Sequence, residues 1–164
     1  MGKMFNKPKR KVTKVFIHCS ASDNTSHDLE AIRQWHFARG FRDIGYHFVI
    51  TKYGEIQKGR NLEWIPAAQK GHNAGSIAIC VCGLKTFTKE SLESLVELCK
   101  EINKSHKNIT FHGHCEVNPN KTCPVFDYKA LLNLNKNGKM NEQISFRWFN
   151  IFNFLFSAFN KKSC

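Results

Sequence analysis

Two features that a secreted or disulfide-stabilised protein would show are missing from this sequence. The first fourteen residues hold six Lys or Arg and no acid, but no apolar segment follows them as in a secretory signal peptide. The seven cysteines include no CxxC pair and no regular spacing. We therefore expect synthesis in a reducing cytoplasm, with most cysteines serving as small buried apolar side chains.

Acidic residues are also few. The chain has 13 Asp and Glu against 25 Lys and Arg, which gives a formal net charge of +12. Half of that excess lies within residues 1–14. A basic segment of this kind suits an anionic partner such as nucleic acid, acidic lipid or a wall polymer, and it equally suits a solvated leader without a partner. Charge alone does not decide between them.

The length and the changes in composition suggest one folded domain with two appendages. A chain of 164 residues is in the range of a single domain. Residues 1–11 form the basic N-terminal arm, residues 12–134 a mixed α/β domain, residues 135–142 a linker rich in Asn, Lys and Gly, and residues 143–164 a Phe-rich tail. No internal repeat is present.

Strands and helices alternate through the domain, which predicts an α/β fold with a central mixed β-sheet flanked by helices. Asp28 and Thr88 are the predicted N-caps of two helices. Ser76–Cys82 is apolar on both faces and is predicted to be a central strand. The other predicted strands are Lys14–Cys19, Tyr46–Lys52, Glu55–Lys58 and Asn108–His112, and Asp127–Leu134 is a final short helix.

Potential zinc ligands occur in three segments that end or follow strands. The segments are Ile17–Cys19, Gly45–Phe48, and Phe111–Glu116 running on to Lys121–Pro124, and their His and Cys side chains are the potential ligands. Two imidazoles and one thiolate would bind zinc and leave a fourth position for water, as in a catalytic site. Because His112 and His114 are two residues apart, a strand would point both to one face, so the spacing leaves the choice between them open.

Five sequence runs, in one order, carry a specific resemblance. They are FIHCSAS at 16–22, IRQWH at 32–36, GYHFVI at 45–50, KGHNAGSIAIC at 70–80 and HCEVNPNKTCPVFD at 114–127. Together they closely resemble the phage-lysozyme type of N-acetylmuramoyl-L-alanine amidase, which is related to the peptidoglycan recognition proteins. The likeness covers residues 12–134 and implies the fold of that family.

The resemblance also implies a site. The zinc ligands fall on His18, His114 and Cys123, with one Zn²⁺ per chain. His114 is selected over His112 because the family's ligand stands two residues before the acid of its His-x-Glu-Val run, here Glu116. The catalytic Tyr and Lys fall on Tyr46 and Lys121. One extra residue before Lys121, and Cys115 in place of a second His, depart from the phage pattern without removing a ligand.

The implied function is zinc-dependent hydrolysis of the amide between N-acetylmuramic acid and L-alanine in peptidoglycan, by a phage or prophage endolysin that reaches the wall after release. Zinc would acidify a bound water. Lys121 would stabilise the oxyanion, and Tyr46 would hydrogen-bond the water or assist the leaving amine. The alternatives are a non-catalytic peptidoglycan-binding module and a basic regulator of a polymerase or nucleic acid, although nucleic acid is not the expected partner.

Other histidines of the matched runs receive weaker assignments. His47, His72 and Asn73 are candidates for lining the cleft or supporting the ligands. His36 is expected to pack or to lie on the surface, and His27 and His106 to lie on the surface.

The tail has a pattern of its own. Six of the 14 Phe and Trp148 lie between Phe146 and Phe159, and the polar residues recur every three or four positions. As a helix, this segment is amphipathic and too short to span a bilayer. We expect it to lie at a membrane surface through residues 143–162 or, as the alternative, to pack on the domain or on a second copy.

Overall fold

In the computed structural model, which describes residues 4–141, five strands form one sheet between helices. The strands are β1 (Lys14–Cys19), β2 (Phe48–Ile50), β3 (Ile56–Lys58), β4 (Ser76–Val81) and β5 (Thr110–Gly113). The helices are α1 (Leu29–Ala38), α2 (Lys89–Ser105) and α3 (Tyr128–Leu131), and a 3-10 turn spans His114–Glu116. The predicted C-terminal amphipathic helix lies outside the described residues.

The sheet has the strand order β3-β2-β4-β1-β5. All neighbours are parallel except β2 and β3, which form the hairpin of the predicted return strand. β4 is the middle strand and every one of its residues is buried, as its continuous apolar sequence predicts. The predicted fold class, a central mixed sheet with helices, is confirmed.

Alternation along the strands gives the sheet two different faces. Ile77, Ile79 and Val81 of β4 belong to the large core that packs under α2, whereas Cys80 belongs to a smaller cluster under α1. On β1, Ile17 likewise joins the large core. His18 follows Ile17 and therefore points to the α1 side of the sheet.

The two long helices begin where their capping residues predict. The Asp28 side chain accepts a hydrogen bond from the Ala31 N–H, and the Thr88 hydroxyl accepts one from the Ser91 N–H. The helix α3 is shorter than predicted from Asp127–Leu134. Asn133 has a φ of 49°, and Leu134 pairs with Met140, so the chain turns back instead of continuing the helix.

The expected surface position of His106 is wrong. Its side chain is buried at the end of α2, with the Phe5 ring 5.7 Å from its own ring, and its Nδ1 lies 3.1 Å from the Ile102 carbonyl. Burial lowers its pKa. The residue that covers it comes from the N-terminal segment, a contact that the sequence of α2 does not reveal.

Residues 4–11 lie against the domain. Phe5 is 1% exposed and belongs to the large core, and its N–H donates to a Glu101 carboxylate oxygen at 2.9 Å. The carboxylate of Glu63 accepts from the N–H groups of Lys9 and Arg10. Among the described residues, no helix is long and apolar enough to cross a membrane.

Replacing Phe5 with alanine should therefore destabilise the whole domain. Loss of a buried Phe ring costs about 3–5 kcal/mol of unfolding free energy. Urea unfolding of Phe5→Ala beside Lys9→Ala, whose side chain is exposed, measures this directly. Equal stability of the two variants would mean that the N-terminal segment does not pack as described.

Candidate active site

A cavity of about 720 Å³ lies on the α1 side of the sheet. It is open to solvent and has both polar and apolar walls. All five residues to which the resemblance assigns a role contribute to its lining. They are His18, Tyr46, His114, Lys121 and Cys123.

Parallel strand pairing explains why two of these residues meet. β1 and β5 are neighbours in register, with Ile17 opposite Gly113. The next residue of each chain segment is a histidine, so His18 and His114 leave the same edge of the sheet. Their ring centroids are 4.7 Å apart. The carboxyl ends of parallel strands are the usual place for a site in an α/β sheet.

Backbone hydrogen bonds bring Cys123 to the same place. The Cys19 N–H donates to Cys123 Sγ at 2.9 Å, and the Cys115 N–H donates to the Cys123 carbonyl at 3.0 Å. The loop after the 3-10 turn is thus tied to the ends of both β1 and β5. Cys123 lies 104 residues from Cys19 in sequence, so local sequence does not predict this contact.

The donor set fits a zinc ion. One ligand atom from each of His18, His114 and Cys123 lies within 4.8 Å of the others, and these three form a metal-type cluster among residues 4–141. Donors around one tetrahedral zinc are about 3.5 Å apart, given bond lengths of about 2.0–2.3 Å. Imidazole nitrogen and thiolate sulfur are the ligands that zinc prefers.

The protonation states of these ligands also suit a metal. Burial, and then the neighbouring His114, lower the pKa of His18 to about 3, so its imidazole is neutral at pH 7. Burial also lowers the pKa of His114. The pKa of the Cys123 thiol is raised by its hydrogen bond with Cys19 and by burial, so a bound cation would be needed to hold it as thiolate.

Tyr46 and Lys121 line the same cavity as the three candidate ligands. The Tyr46 ring centroid lies 5.1 Å from that of His18, and burial raises the pKa of its phenol well above 10. Tyr46 is therefore a hydrogen-bond donor at neutral pH. Lys121 is exposed at the cavity, and its charge contributes to lowering the pKa of His114.

Gly45 allows the segment of Tyr46 to lie close to the cavity wall. A Cβ at position 45 would sit 2.2 Å from the Ala67 carbonyl oxygen, so a side chain does not fit there. The Gly45 N–H donates to His36 Nδ1 at 2.8 Å, and the His36 ring lies 5.3 Å from that of Tyr46. His36 is buried and packs, which is one of its two expected positions.

The remaining candidates do not line the cavity. His47 is buried. Its Nδ1 accepts a hydrogen bond from the Ala78 N–H, and its Nε2 donates one to the Trp64 carbonyl. His72 is exposed. His112 packs its ring against Phe16 and bonds Glu116 through Nδ1 at 2.7 Å.

Sequence reasoning missed two hydrogen-bonded side chains near the candidate ligands, one that contacts His18 and one in the turn that carries His114. Gln69 is fully buried, and its Oε1 lies 3.0 Å from His18 Nε2. Glu116, in the turn that carries His114, accepts hydrogen bonds from Tyr128 Oη and Lys129 Nζ as well as from His112. Their partners lie on other elements, so no spacing in the sequence identifies them.

Together, the fold and the site define a class of protein. A mixed α/β sheet carries two histidines and a cysteine at the ends of its parallel strands, and an open cavity leaves room for a fourth ligand. That donor set would suit a catalytic zinc centre, which keeps one coordination position open.

Comparison with known proteins gives the family. Residues 8–126 match the N-acetylmuramoyl-L-alanine amidase family, and the chain belongs to it. The endolysin of Enterobacteria phage T3 is 33% identical over 138 residues, which are 79% of this chain and 91% of the phage protein. The expected family and its amidase activity are thereby confirmed.

Solved structures of similar proteins have the same fold. The N-acetylmuramoyl-L-alanine amidase LysC from Clostridium intestinale URNW superposes with a TM-score of 0.68 at 27% identity, covering 77% of this chain and 88% of LysC. Drosophila peptidoglycan recognition protein SD shares the fold, with a TM-score of 0.66 at 22% identity over 84% of this chain and 91% of its own.

The buried His47 should make the protein sensitive to acid. Burial lowers its pKa to about 4, against about 6.5 in an unfolded chain, so the unfolded state binds more protons between these values. Stability contributed by His47 is complete above pH 6.5 and is lost as the pH falls towards 4, by about 2 kcal/mol at pH 5.

Urea unfolding at pH 7 and pH 5 tests this contribution. The loss of stability between the two pH values should be smaller in His47→Gln than in wild type, whereas His72→Asn, at an exposed position, should lose as much as wild type. An unchanged loss in His47→Gln would show that His47 is not held neutral by the fold.

Proposed function

We propose that this chain is a zinc-dependent endolysin that cleaves the amide between N-acetylmuramic acid and L-alanine in peptidoglycan. His18, His114 and Cys123 are its zinc ligands, with one Zn²⁺ per chain, and Tyr46 and Lys121 are its catalytic residues. The observation that carries the proposal is that these five side chains, drawn from positions 18 to 123, line one cavity.

A zinc ion bound at this site would supply the chemistry for amide hydrolysis. Zinc bound by two neutral imidazoles and one thiolate would retain a formal charge of +1, and would supply an acidified water and an electrophile for the scissile carbonyl. A non-catalytic binding module of the same fold would not need that donor set. The three ligands therefore favour the hydrolase over the binding module.

Lys121 would stabilise the negative charge that develops in the transition state. Amide hydrolysis passes through a tetrahedral species with a negative oxygen, and a fixed cation near that oxygen lowers the barrier. The Lys121 side chain is solvent-exposed at the cavity, from where it would reach a bound substrate.

Tyr46 would act as a hydrogen-bond donor in the reaction. Burial keeps its phenol protonated, so it donates a hydrogen bond to the attacking water or to the substrate oxygen, and it is the nearest candidate for guiding a proton to the leaving amine. Its ring lies against His18, which fixes its position relative to the ligands.

The phage relative is an endolysin by name, and its likeness covers most of both chains. We propose the same role here, in which the enzyme is made in the cytoplasm and acts on the wall after release. The strongly basic charge, +12 in total, suits an anionic wall polymer.

Two substitutions separate catalysis from metal binding. In Tyr46→Phe and Lys121→Ala, release of wall peptides should fall on the order of 10²–10³-fold because each variant loses a transition-state interaction. Zinc content should stay at one ion per chain, since neither side chain is a ligand. Catalysis is measured as amidase turnover on purified peptidoglycan, and metal binding as the zinc content of the purified protein.

Matched controls are available in the same chain. Tyr53→Phe and Lys70→Ala alter exposed residues of the same types outside the cavity lining and should leave turnover unchanged. Loss of zinc from Tyr46→Phe or Lys121→Ala would contradict the assignment of that residue as catalytic. Full activity in both variants would rule out a catalytic role for either residue.

We also propose that residues 143–162 contact a membrane surface. Their aromatic and basic composition suits the interface of an anionic bilayer. The full chain should co-sediment with vesicles that contain anionic lipid, and a chain ending at Glu142 should not. Equal sedimentation of the two would refute membrane contact through this segment.

A further inference from the structure

A buried glutamine stands behind the predicted ligand His18. Gln69 has no exposed surface and does not line the cavity, so it contacts the imidazole from the protein side. Its Oε1 lies 3.0 Å from His18 Nε2. Gln69 is neither a proposed zinc ligand nor a proposed catalytic residue.

The hydrogen positions around Gln69 follow from its neighbours. Ser76 Oγ lies 2.8 Å from the Asn73 carbonyl oxygen, which can only accept, so the serine hydroxyl hydrogen points to Asn73. Ser76 Oγ must then accept from the amide group 2.7 Å away, which makes that amide atom the Nε2 of Gln69. The amide oxygen therefore faces His18.

The tautomer of His18 follows in turn. An amide oxygen accepts and never donates, so the hydrogen between Gln69 and His18 belongs to His18 Nε2. A neutral imidazole carries only one N–H, which leaves its Nδ1 with a free lone pair. Since His18 lines the cavity while Gln69 lies outside it, Nδ1 is the nitrogen available to a metal.

The rest of the network keeps Gln69 in place. Asn73 Oδ1 accepts from the N–H groups of Ala68 at 3.1 Å and Gln69 at 3.0 Å, so the backbone at residue 69 is fixed as well as its side chain. The Ser76 N–H donates to the Asn73 carbonyl at 3.2 Å, and Ser76 begins the central strand. The chain of bonds thus runs from the middle of the sheet to the imidazole.

We infer that Gln69 is a positioning residue that holds His18 as its Nε2–H tautomer, so that Nδ1 binds zinc. The inference rests on the proposed zinc-dependent function. Groups that accept the second N–H of a ligand histidine orient the ring and raise its basicity, and their loss costs about 10–100-fold in metal affinity.

The test uses Gln69→Met, which keeps the length of the side chain and removes the acceptor. The dissociation constant for zinc, measured by competition with a chromogenic chelator, should rise about 10–100-fold relative to wild type. Gln69→Glu restores an acceptor oxygen and should recover most of that affinity. A residue needed only for packing would not show this rescue.

Thr51→Val is the matched control. It removes a buried hydroxyl that accepts from the Glu55 N–H on the β2–β3 hairpin and is not part of the cavity lining, and this variant should bind zinc as wild type does. A wild-type chain that binds no zinc would overturn the proposed function itself. A zinc-binding wild type with an equally tight Gln69→Met would overturn only the role of Gln69.

A second measurement needs no variant. In zinc-loaded wild-type protein, nitrogen-15 spectra of the histidine rings should place the hydrogen of His18 on Nε2 and the metal on Nδ1. A hydrogen on Nδ1 would overturn the inference, whether or not the substituted chains fold.

Discussion

Parallel pairing of β1 with β5 is the constraint on which the site depends. It places His18 and His114 at one edge of the sheet, although 96 residues separate them in sequence. β1 is in turn paired with the buried central strand β4, so the edge has little freedom to move. A site that binds a metal needs its ligands held within tenths of an ångström, and rigid strands supply that better than loops do.

Hydrogen-bonded polar groups near the candidate ligands add to this rigidity. Gln69, Ser76 and Asn73 are joined by hydrogen bonds near His18. Glu116, in the turn that carries His114, accepts hydrogen bonds from His112, Tyr128 and Lys129. Buried polar groups are tolerated when each has a partner, and such networks restrict side chains to one arrangement. Neither Gln69 nor Glu116 lines the cavity.

The fold was predictable because its signals are local. Capping residues, apolar runs and helical periodicity identified β1, β4, α1 and α2 to within a few residues. Prediction of the site required the family resemblance, because residue spacing alone did not decide whether His112 or His114 is the ligand. Gln69 and the burial of His106 could not be predicted, since both depend on contacts between distant segments. The division into arm, domain, linker and tail stays a prediction.

The direct test of the central claim is crystallographic. X-ray diffraction from zinc-loaded crystals, collected above and below the zinc absorption edge, should give one strong anomalous peak per chain. We predict that this peak lies about 2.0–2.3 Å from a ring nitrogen of His18, a ring nitrogen of His114 and Cys123 Sγ. A peak held by other side chains, such as His112, or no peak at this edge of the sheet, would contradict the account.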